Sequence, residues 1–179
     1  MTILLPTDEQ PDPESTARTF GTLPPRSGPL YSQAMTVEVE VVREPTDEVV
    51  SAFARLLPQL STSATPLDHG AVGRMLSHDA NTVFMARVAG EIVGTLTLVM
   101  VPIPSGLRAR IEDVVVDDSA RGNGVGTALT AAAIDAARTA NARTLDLTSR
   151  PERDSAGRLY ERLGFRERDS RIYRLAGAE

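Results

Sequence analysis

The sequence predicts an α/β (α+β) domain in which a sheet is flanked by about four helices. Two observations predict this class. Stretches with the two-residue period of half-buried strands alternate along the chain with stretches that have the 3.6-residue period of amphipathic helices. Two of the strands, over residues 82–88 and 91–101, are joined only by Ala89 and Gly90, and so short a connection is typical of an antiparallel hairpin.

The elements before this hairpin follow from periodicity and from capping residues. Over residues 37–41 three valines alternate with two glutamates, which predicts a strand with one buried face. Thr46 can cap a helix whose positive end is stabilised by Asp47 and Glu48. The apolar face of this helix consists of Val49, Phe53, Leu56, Leu57 and Leu60. A short helix is predicted over residues 68–76.

After the hairpin, strands and helices alternate to the end of the chain. Pro102 and Pro104 are predicted to end the second hairpin strand. A strand over residues 110–116 is followed by a glycine-rich turn and an alanine-rich helix over residues 124–140. The remaining predicted elements are a strand over residues 144–148, a helix over residues 154–163 that Gly164 terminates, and a strand over residues 171–175.

Composition narrows the functional classes. The chain has 179 residues, no cysteine and two histidines, and it carries a net charge of −5. One domain is therefore expected. Sites that need thiolates or three histidines are excluded, so we expect no metal. All 19 basic residues are arginine, which removes the lysine that nucleotide-binding P-loops require. The negative charge argues against a nucleic-acid partner.

Residues 1–34 differ in composition from the rest of the chain. They hold six of the 12 prolines and show neither a helical nor a strand period. This predicts a flexible proline-rich N-terminal leader before a domain over residues 35–179. The alternative is an arm that packs on a second copy of the chain in a homodimer. No stretch approaches the roughly 18 apolar residues of a membrane-spanning helix, and no secretion signal is visible, so we expect a cytoplasmic protein with no membrane partner.

The segment that carries chemistry is the glycine turn, residues 121–126, with the sequence Arg-Gly-Asn-Gly-Val-Gly. It lies between an apolar strand and a helix, where backbone N–H groups converge on an anion because glycine has no Cβ to block the approach. This predicts a cradle for a phosphate or pyrophosphate. A tight strand-to-helix turn without a ligand is the alternative. A dinucleotide fingerprint is disfavoured because Thr127 occupies the third glycine position.

Two motifs resemble one family. The pattern Arg121-x-x-Gly124-x-Gly126 after an apolar strand resembles the acetyl-CoA pyrophosphate motif of the GNAT superfamily of N-acetyltransferases. Downstream, Ala156, Tyr160 and Gly164-Phe165 are similar to the family's second pattern, Ala-x-x-x-Tyr-x-x-x-Gly-Phe. The resemblance covers residues 37–175. The run Ile111-Glu112-Asp113 also resembles a strand of glucosamine-phosphate N-acetyltransferases.

The resemblance implies a GNAT fold with a mixed, mostly antiparallel sheet of six to seven strands. It also implies a splay between the fourth and fifth strands, residues 110–116 and 144–149, where pantetheine would lie along backbone groups. Many members carry an asparagine where this chain has Arg153, and Ser149 or Ser155 could replace its hydrogen bond. The acetyl-CoA site implied in this way consists of Val114, Val115, Val116, Arg121, Gly122, Asn123, Gly124, Val125, Gly126, Thr127, Ser149 and Ser155.

The implied reaction is transfer of an acetyl group from acetyl-CoA to the primary amine of a small molecule, by direct attack in a ternary complex. A base must remove a proton from the ammonium of the acceptor. Glu112 is the first candidate, and Asp113 is the second because strand alternation points it to the other face unless a bulge intervenes. Tyr160 matches the family's general acid for the leaving thiolate. Without the resemblance, its helical spacing also fits a core aromatic.

Two other functions remain open at this stage. The chain could be a protein or peptide N-acetyltransferase, or a noncatalytic module that binds acyl-CoA. Residues 1–149 contain 11 arginines and 18 acidic residues. This negative charge favours a cationic acceptor such as a polyamine or an aminoglycoside.

Overall fold

A computed structural model describes residues 18–19, 36–61, 64–150 and 153–175. Its strands are β1 (Arg18–Thr19), β2 (Val37–Val42), β3 (Asn81–Val88), β4 (Glu91–Ile103), β5 (Gly106–Val116) and β6 (Leu145–Leu147). Its helices are α1 (Asp47–Leu60), α2 (His69–Leu76), α3 (Val125–Thr139) and α4 (Asp154–Arg162). A single 3₁₀ turn, Asp118–Ala120, lies between β5 and α3.

The six strands form one sheet in which each strand pairs with the next along the chain. All pairs are antiparallel except β5 with β6, which is parallel. A parallel pair needs a long crossover connection, and α3 provides it. The predicted α+β class, with a mixed and mostly antiparallel sheet and four helices, is confirmed.

Among the described residues, the domain after residue 35 has fewer strands than the six to seven that were predicted. Five strands belong to the domain after residue 35, and the two-residue β1 adds one edge pair to β2. The predicted strand over residues 171–175 does not form: this segment lies outside the sheet, and its Ile172, Tyr173 and Leu175 are exposed. The edge of the sheet at β6 is only three residues long, so it offers few hydrogen bonds to a further strand.

Two further predictions concern the end of β4 and the N-terminal leader. β4 continues to Ile103, past the position at which Pro102 was predicted to end it, because Pro102 pairs with Leu107 near the exposed tip of the β4–β5 hairpin. Apart from β1, the predicted leader lies outside the described residues. A flexible leader and a homodimer therefore stay predictions.

The core has two layers, one on each face of the sheet. On one face α3 packs through Val125, Leu129, Ala133 and Ala137 against alternate residues of β3, β4 and β5. On the other face α1 and α2 cover Val83, Met85, Ile92 and Val115. Gly94 brings α3 close to the sheet, since a Cβ at this position would lie 3.0 Å from Val125 Cγ1 and 3.1 Å from Leu129 Cδ1. The start of α3, and with it the glycine turn, is therefore held against β4 at Gly94, which pairs with Val116 at the end of β5.

Two of the predicted capping residues lie at helix ends. Thr46 caps α1 by accepting a hydrogen bond from the amide of Val49 at 3.3 Å. Gly164 follows α4 with a φ of +93°, the left-handed conformation that glycine adopts readily. None of the described helices has the length and apolar character needed to cross a bilayer.

Candidate active site

The glycine turn connects the end of β5 to the start of α3. Gly122 and Gly124 have φ values of +79° and +83°, which glycine tolerates without strain. Gly124 is the N-cap of α3 and has no side chain to accept from the first helical amides. The first bond of the helix runs from the amide of Ala128 to Gly124 O at 2.9 Å. The amides of residues 125–127 are therefore left without a partner inside the helix, as an anion site requires.

Gly126 has a different role from the other two glycines. A Cβ at this position would lie 3.2 Å from Leu159 Cδ1 of α4 and 3.8 Å from Val116 Cγ2 of β5. The missing side chain allows α4 to pack against the first turn of α3. The two sequence motifs, 33 residues apart at Gly126 and Leu159, are in this way brought into contact.

The polar side chains of the glycine turn bind the segment that precedes the turn. Arg121 forms an ion pair with Asp118 at 2.6 Å and donates from Nε to Val116 O at 3.3 Å. Asn123 donates from Nδ2 to Ala120 O at 3.3 Å. The Arg121 side chain stays 58% exposed, so an anion at the turn can reach its guanidinium, although the charge is shared with Asp118.

One side of β5 is open beside the glycine turn. The parallel pairing with β6 runs from Ala109 and Leu145 to Ile111 and Leu147, and it ends there. β5 continues to Val116 and remains paired with β4 on its other side. Among the described residues, no strand covers residues 112–116 on the β6 side. We call this unpaired stretch the opening.

A β-bulge lies in β5 within the opening. Glu112 is opposite Thr97 and Val115 is opposite Thr95, so that Asp113 and Val114 both face the single residue Leu96. Asp113 has a φ of +50°, which is unusual for a residue with a side chain. The bulge reverses the alternation: Ile111 belongs to the core beneath α3, whereas Val115 belongs to the core beneath α1 and α2. The exception that the sequence analysis allowed for Asp113 is therefore present.

The two candidate bases are adjacent at this bulge and differ in environment. Glu112 Oε1 accepts a hydrogen bond from Arg110 Nε. Arg110 Nη2 also reaches Oγ1 of Thr148, the residue after β6, at 3.5 Å. Burial raises the pKa of the Asp113 carboxyl, and the negative charge of Glu112 raises it further. The opening thus carries one ion-paired carboxylate and one carboxylate that holds its proton more strongly than an ordinary aspartate.

Tyr160 lies on α4, partly buried. Its ring packs edge-on against Phe165, with the ring centroids 5.8 Å apart and the planes at 68°. Burial raises the pKa of its hydroxyl, while the positive charge of Arg153 acts in the opposite direction. The phenol is therefore protonated at neutral pH, as a general acid must be. Ser149 and Ser155 are exposed, before α4 and in its first turn.

Four polar residues meet before the glycine turn, and the sequence patterns had not singled them out. Asp117 accepts hydrogen bonds from Ser119 and from Arg55 and Gln59 of α1. Ser119 above all, then Gln59 and Arg55, hold the pKa of Asp117 at about 2. The only signal in the sequence was the four-residue spacing of Arg55 and Gln59, which places them on one helix face. That spacing does not reveal their partner.

Comparison with known proteins assigns the family. A family model described as the acetyltransferase (GNAT) family matches residues 47–165. The chain belongs to the GNAT acetyltransferase family. This membership confirms the resemblance of its two motifs and makes the chain an N-acetyltransferase-family enzyme, for which the family implies acetyl-CoA as acetyl donor. No curated protein matches the sequence.

Solved structures agree with this membership. An acetyltransferase from Trypanosoma brucei is 30% identical, with a TM-score of 0.66, and the match covers 78% of this GNAT chain and 99% of that one. An aminoglycoside acetyltransferase from an uncultured soil metagenomic sample is 18% identical with a TM-score of 0.70, over 80% and 97% of the two chains. A ribosomal-protein-alanine N-acetyltransferase from Brucella melitensis biovar Abortus is 23% identical with a TM-score of 0.65, over 79% and 99%. The last two likenesses show the fold alone.

Proposed function

We propose that this GNAT enzyme transfers the acetyl group of acetyl-CoA to the primary amine of a small molecule by direct attack in a ternary complex. The observation that carries the proposal is the contact of Gly126 with Leu159. It brings the glycine turn, the opening of β5 and the helix of Tyr160 to one place. A donor site, a pair of carboxylates and a phenol are the groups that amine acetylation requires.

Acetyl-CoA would occupy both the glycine turn and the opening. The amides from Gly122 to Thr127 would hold the pyrophosphate, and the exposed guanidinium of Arg121 would add a charge-assisted bond. The pantetheine arm would extend the sheet along Val114, Val115 and Val116, as an added strand does. An N–H group at Val114 or Val115 would polarise the thioester carbonyl. Ser149 or Ser155 would bind where many relatives have an asparagine.

The acceptor site is proposed on the face of the sheet that bears α1 and α2. Val115 belongs to this face and is opposite Thr95. Thr97 lies two residues further along β4 and so has the same face, and Glu112 is opposite Thr97. Glu112 is therefore the proposed general base, acting directly or through water. Asp113 is the second candidate. Tyr160 is proposed to protonate the departing thiolate of CoA.

Glu112→Gln and Asp113→Asn separate the two candidate bases. We expect Glu112→Gln to lower kcat/KM by about 10²-fold or more, a contribution typical of a general base, while Asp113→Asn keeps most of the activity. The measurement is the steady-state rate across pH, in which kcat/KM falls as the pH drops through the pKa of the base. Because the pKa of Asp113 is raised, proton transfer to Asp113 would place this fall at a higher pH than an ordinary aspartate gives.

Thermal unfolding of the same two variants gives an independent check. A carboxyl whose pKa is raised by folding loses its stabilising contribution as the pH rises through that pKa. Asp113→Asn should therefore raise the melting temperature at neutral pH. An inactive and stabilised Asp113→Asn variant, beside an active Glu112→Gln variant, would assign the base to Asp113 instead.

The charge of the chain bears on the class of acceptor. The excess of acidic residues over residues 1–149 favours a cationic acceptor such as a polyamine or an aminoglycoside. Structures of similar fold include both an aminoglycoside acetyltransferase and a ribosomal-protein-alanine N-acetyltransferase, so fold does not select between these acceptor classes.

Release of free CoA tests the proposed function. The full chain is mixed with acetyl-CoA and, separately, with polyamines, aminoglycosides and peptides that have a free N-terminus, and the thiol is measured. We expect thiol release with small cationic amines and none without an acceptor. Release with the peptides alone would make the enzyme a protein N-acetyltransferase. Stabilisation by acetyl-CoA without release for any amine would indicate a noncatalytic acyl-CoA-binding module.

A further inference from the structure

A polar network joins α1 to the chain between β5 and the glycine turn. Asp117 Oδ2 accepts from Arg55 Nη1 at 2.5 Å and from Gln59 Nε2 at 3.3 Å. Its Oδ1 accepts from the amide and the hydroxyl of Ser119 at 3.1 Å and 2.6 Å. Gln59 Oε1 accepts from the amide of Asp118 at 3.0 Å. We call these five residues the α1 clamp.

The clamp is anchored to the sheet as well as to α1. Arg55 Nη2 donates to Ile92 O at 2.5 Å, and the amide of Asp117 donates to Val93 O at 2.8 Å. The Asp117 side chain is only 14% exposed. Charge-assisted hydrogen bonds to a carboxylate shielded from water are stronger than those of exposed ion pairs. The position at which the chain leaves β5 is therefore set by contacts with β4 and with α1 together.

This anchoring matters because β5 lacks a neighbour on its other side. Among the described residues, the pairing with β6 ends at Ile111, so the backbone of the stretch that leads into the glycine turn pairs with β4 alone, and the clamp adds side-chain hydrogen bonds to it. The ion pair of Asp118 with Arg121 then continues from the clamp into the turn. A displacement at Asp117 would therefore move the backbone amides of the glycine turn, where an anion is proposed to bind.

We propose that the α1 clamp positions the glycine turn for the pyrophosphate of acetyl-CoA, which makes Arg55, Gln59 and Asp117 positioning residues for donor binding. The proposal rests on the proposed function in one respect, that acetyl-CoA is the ligand of the turn. Hydrogen bonds weaken steeply as their angle closes. A loosened turn therefore loses affinity for the donor even though every residue of the cradle is still present.

Two variants break the clamp without touching the turn. Gln59→Met keeps the length of the side chain and removes both of its bonds to the segment 117–118. Asp117→Asn keeps the size of the side chain and removes its charge. The matched control is Glu48→Gln, which breaks another ion pair between α1 and the sheet: Glu48 bonds Arg87 of β3 at 2.5 Å rather than a residue of the clamp.

Acetyl-CoA affinity and stability are measured on the full chain by titration calorimetry and thermal unfolding. We expect Gln59→Met and Asp117→Asn to weaken acetyl-CoA binding about tenfold, and Arg55→Lys, which keeps the charge, to weaken it less. Glu48→Gln should lower the melting temperature about as much as the clamp variants do. It should nevertheless bind acetyl-CoA as tightly as the wild type does. If all variants bind acetyl-CoA equally well, the clamp contributes to stability alone and the proposal is wrong.

Amide hydrogen exchange over residues 117–127 without ligand provides a second readout. The clamp variants should exchange faster there than the wild type and Glu48→Gln. Unchanged exchange would overturn the proposal. A wild-type chain that does not bind acetyl-CoA would instead overturn the proposed donor, while the exchange rates would still decide whether the clamp orders the turn.

Discussion

We expect Gly124→Glu to abolish the rise in melting temperature that acetyl-CoA should give to the wild-type chain. Gly124 has a φ of +83° at the N-cap of α3, so any side chain is strained there, and a glutamate adds a negative charge where the pyrophosphate is proposed to bind. For the wild type, acetyl-CoA at 100 times its Kd should raise the free energy of unfolding by about 2.7 kcal/mol. The measurement is the melting temperature with and without acetyl-CoA.

The control for backbone strain is Gly90→Glu. Gly90 has a similar φ of +85°, lies in the β3–β4 hairpin, and has open space where a Cβ would point. This variant should lose stability through the same backbone strain and keep the full ligand shift. A folded Gly124→Glu protein whose melting temperature rises with acetyl-CoA as much as that of the wild type would remove the glycine turn from the donor site.

We expect Tyr160→Phe to lower kcat at least about tenfold, which corresponds to about 1.4 kcal/mol in the barrier. Phenylalanine keeps the ring and its edge-on contact with Phe165, and deletes the proton that the leaving thiolate is proposed to take. General acids typically contribute about 10²–10⁴-fold, and the low end is expected here because a thiol is already a good leaving group. The change should appear in kcat, since the hydroxyl acts on charge that develops in the transition state.

The measurement needs steady-state rates across pH together with the acetyl-CoA thermal shift, which Tyr160→Phe should retain. Because a general acid must be protonated, kcat falls as the pH rises through its pKa, and burial of Tyr160 moves this fall to higher pH than an ordinary tyrosine gives. Tyr173→Phe, at a side chain that is 86% exposed, is the matched control. Wild-type turnover by Tyr160→Phe, where chemistry limits the rate, would make Tyr160 a core aromatic.

Local signals in the sequence were sufficient for most elements. The helix predicted over residues 124–140 is α3, Val125–Thr139, because a glycine cap and a run of alanines specify it without help from distant residues. The hairpin at Ala89 and Gly90 forms for the same reason, with both residues at positive φ. The predicted strand over residues 171–175 failed because a strand also needs an edge to pair with, and sequence periodicity does not report whether β6 offers one.

The sequence by itself determined the α+β class and the position of the glycine turn between a strand and a helix. Only the tertiary structure decided where the alternation of β5 reverses, because the bulge at Asp113 depends on its register with β4. It also decided that Arg55 and Gln59 face Asp117, and that Leu159 packs on Gly126. The physical reason is the same in each case: hydrogen bonds and packing join residues that are far apart along the chain, and neither partner's local sequence specifies the other.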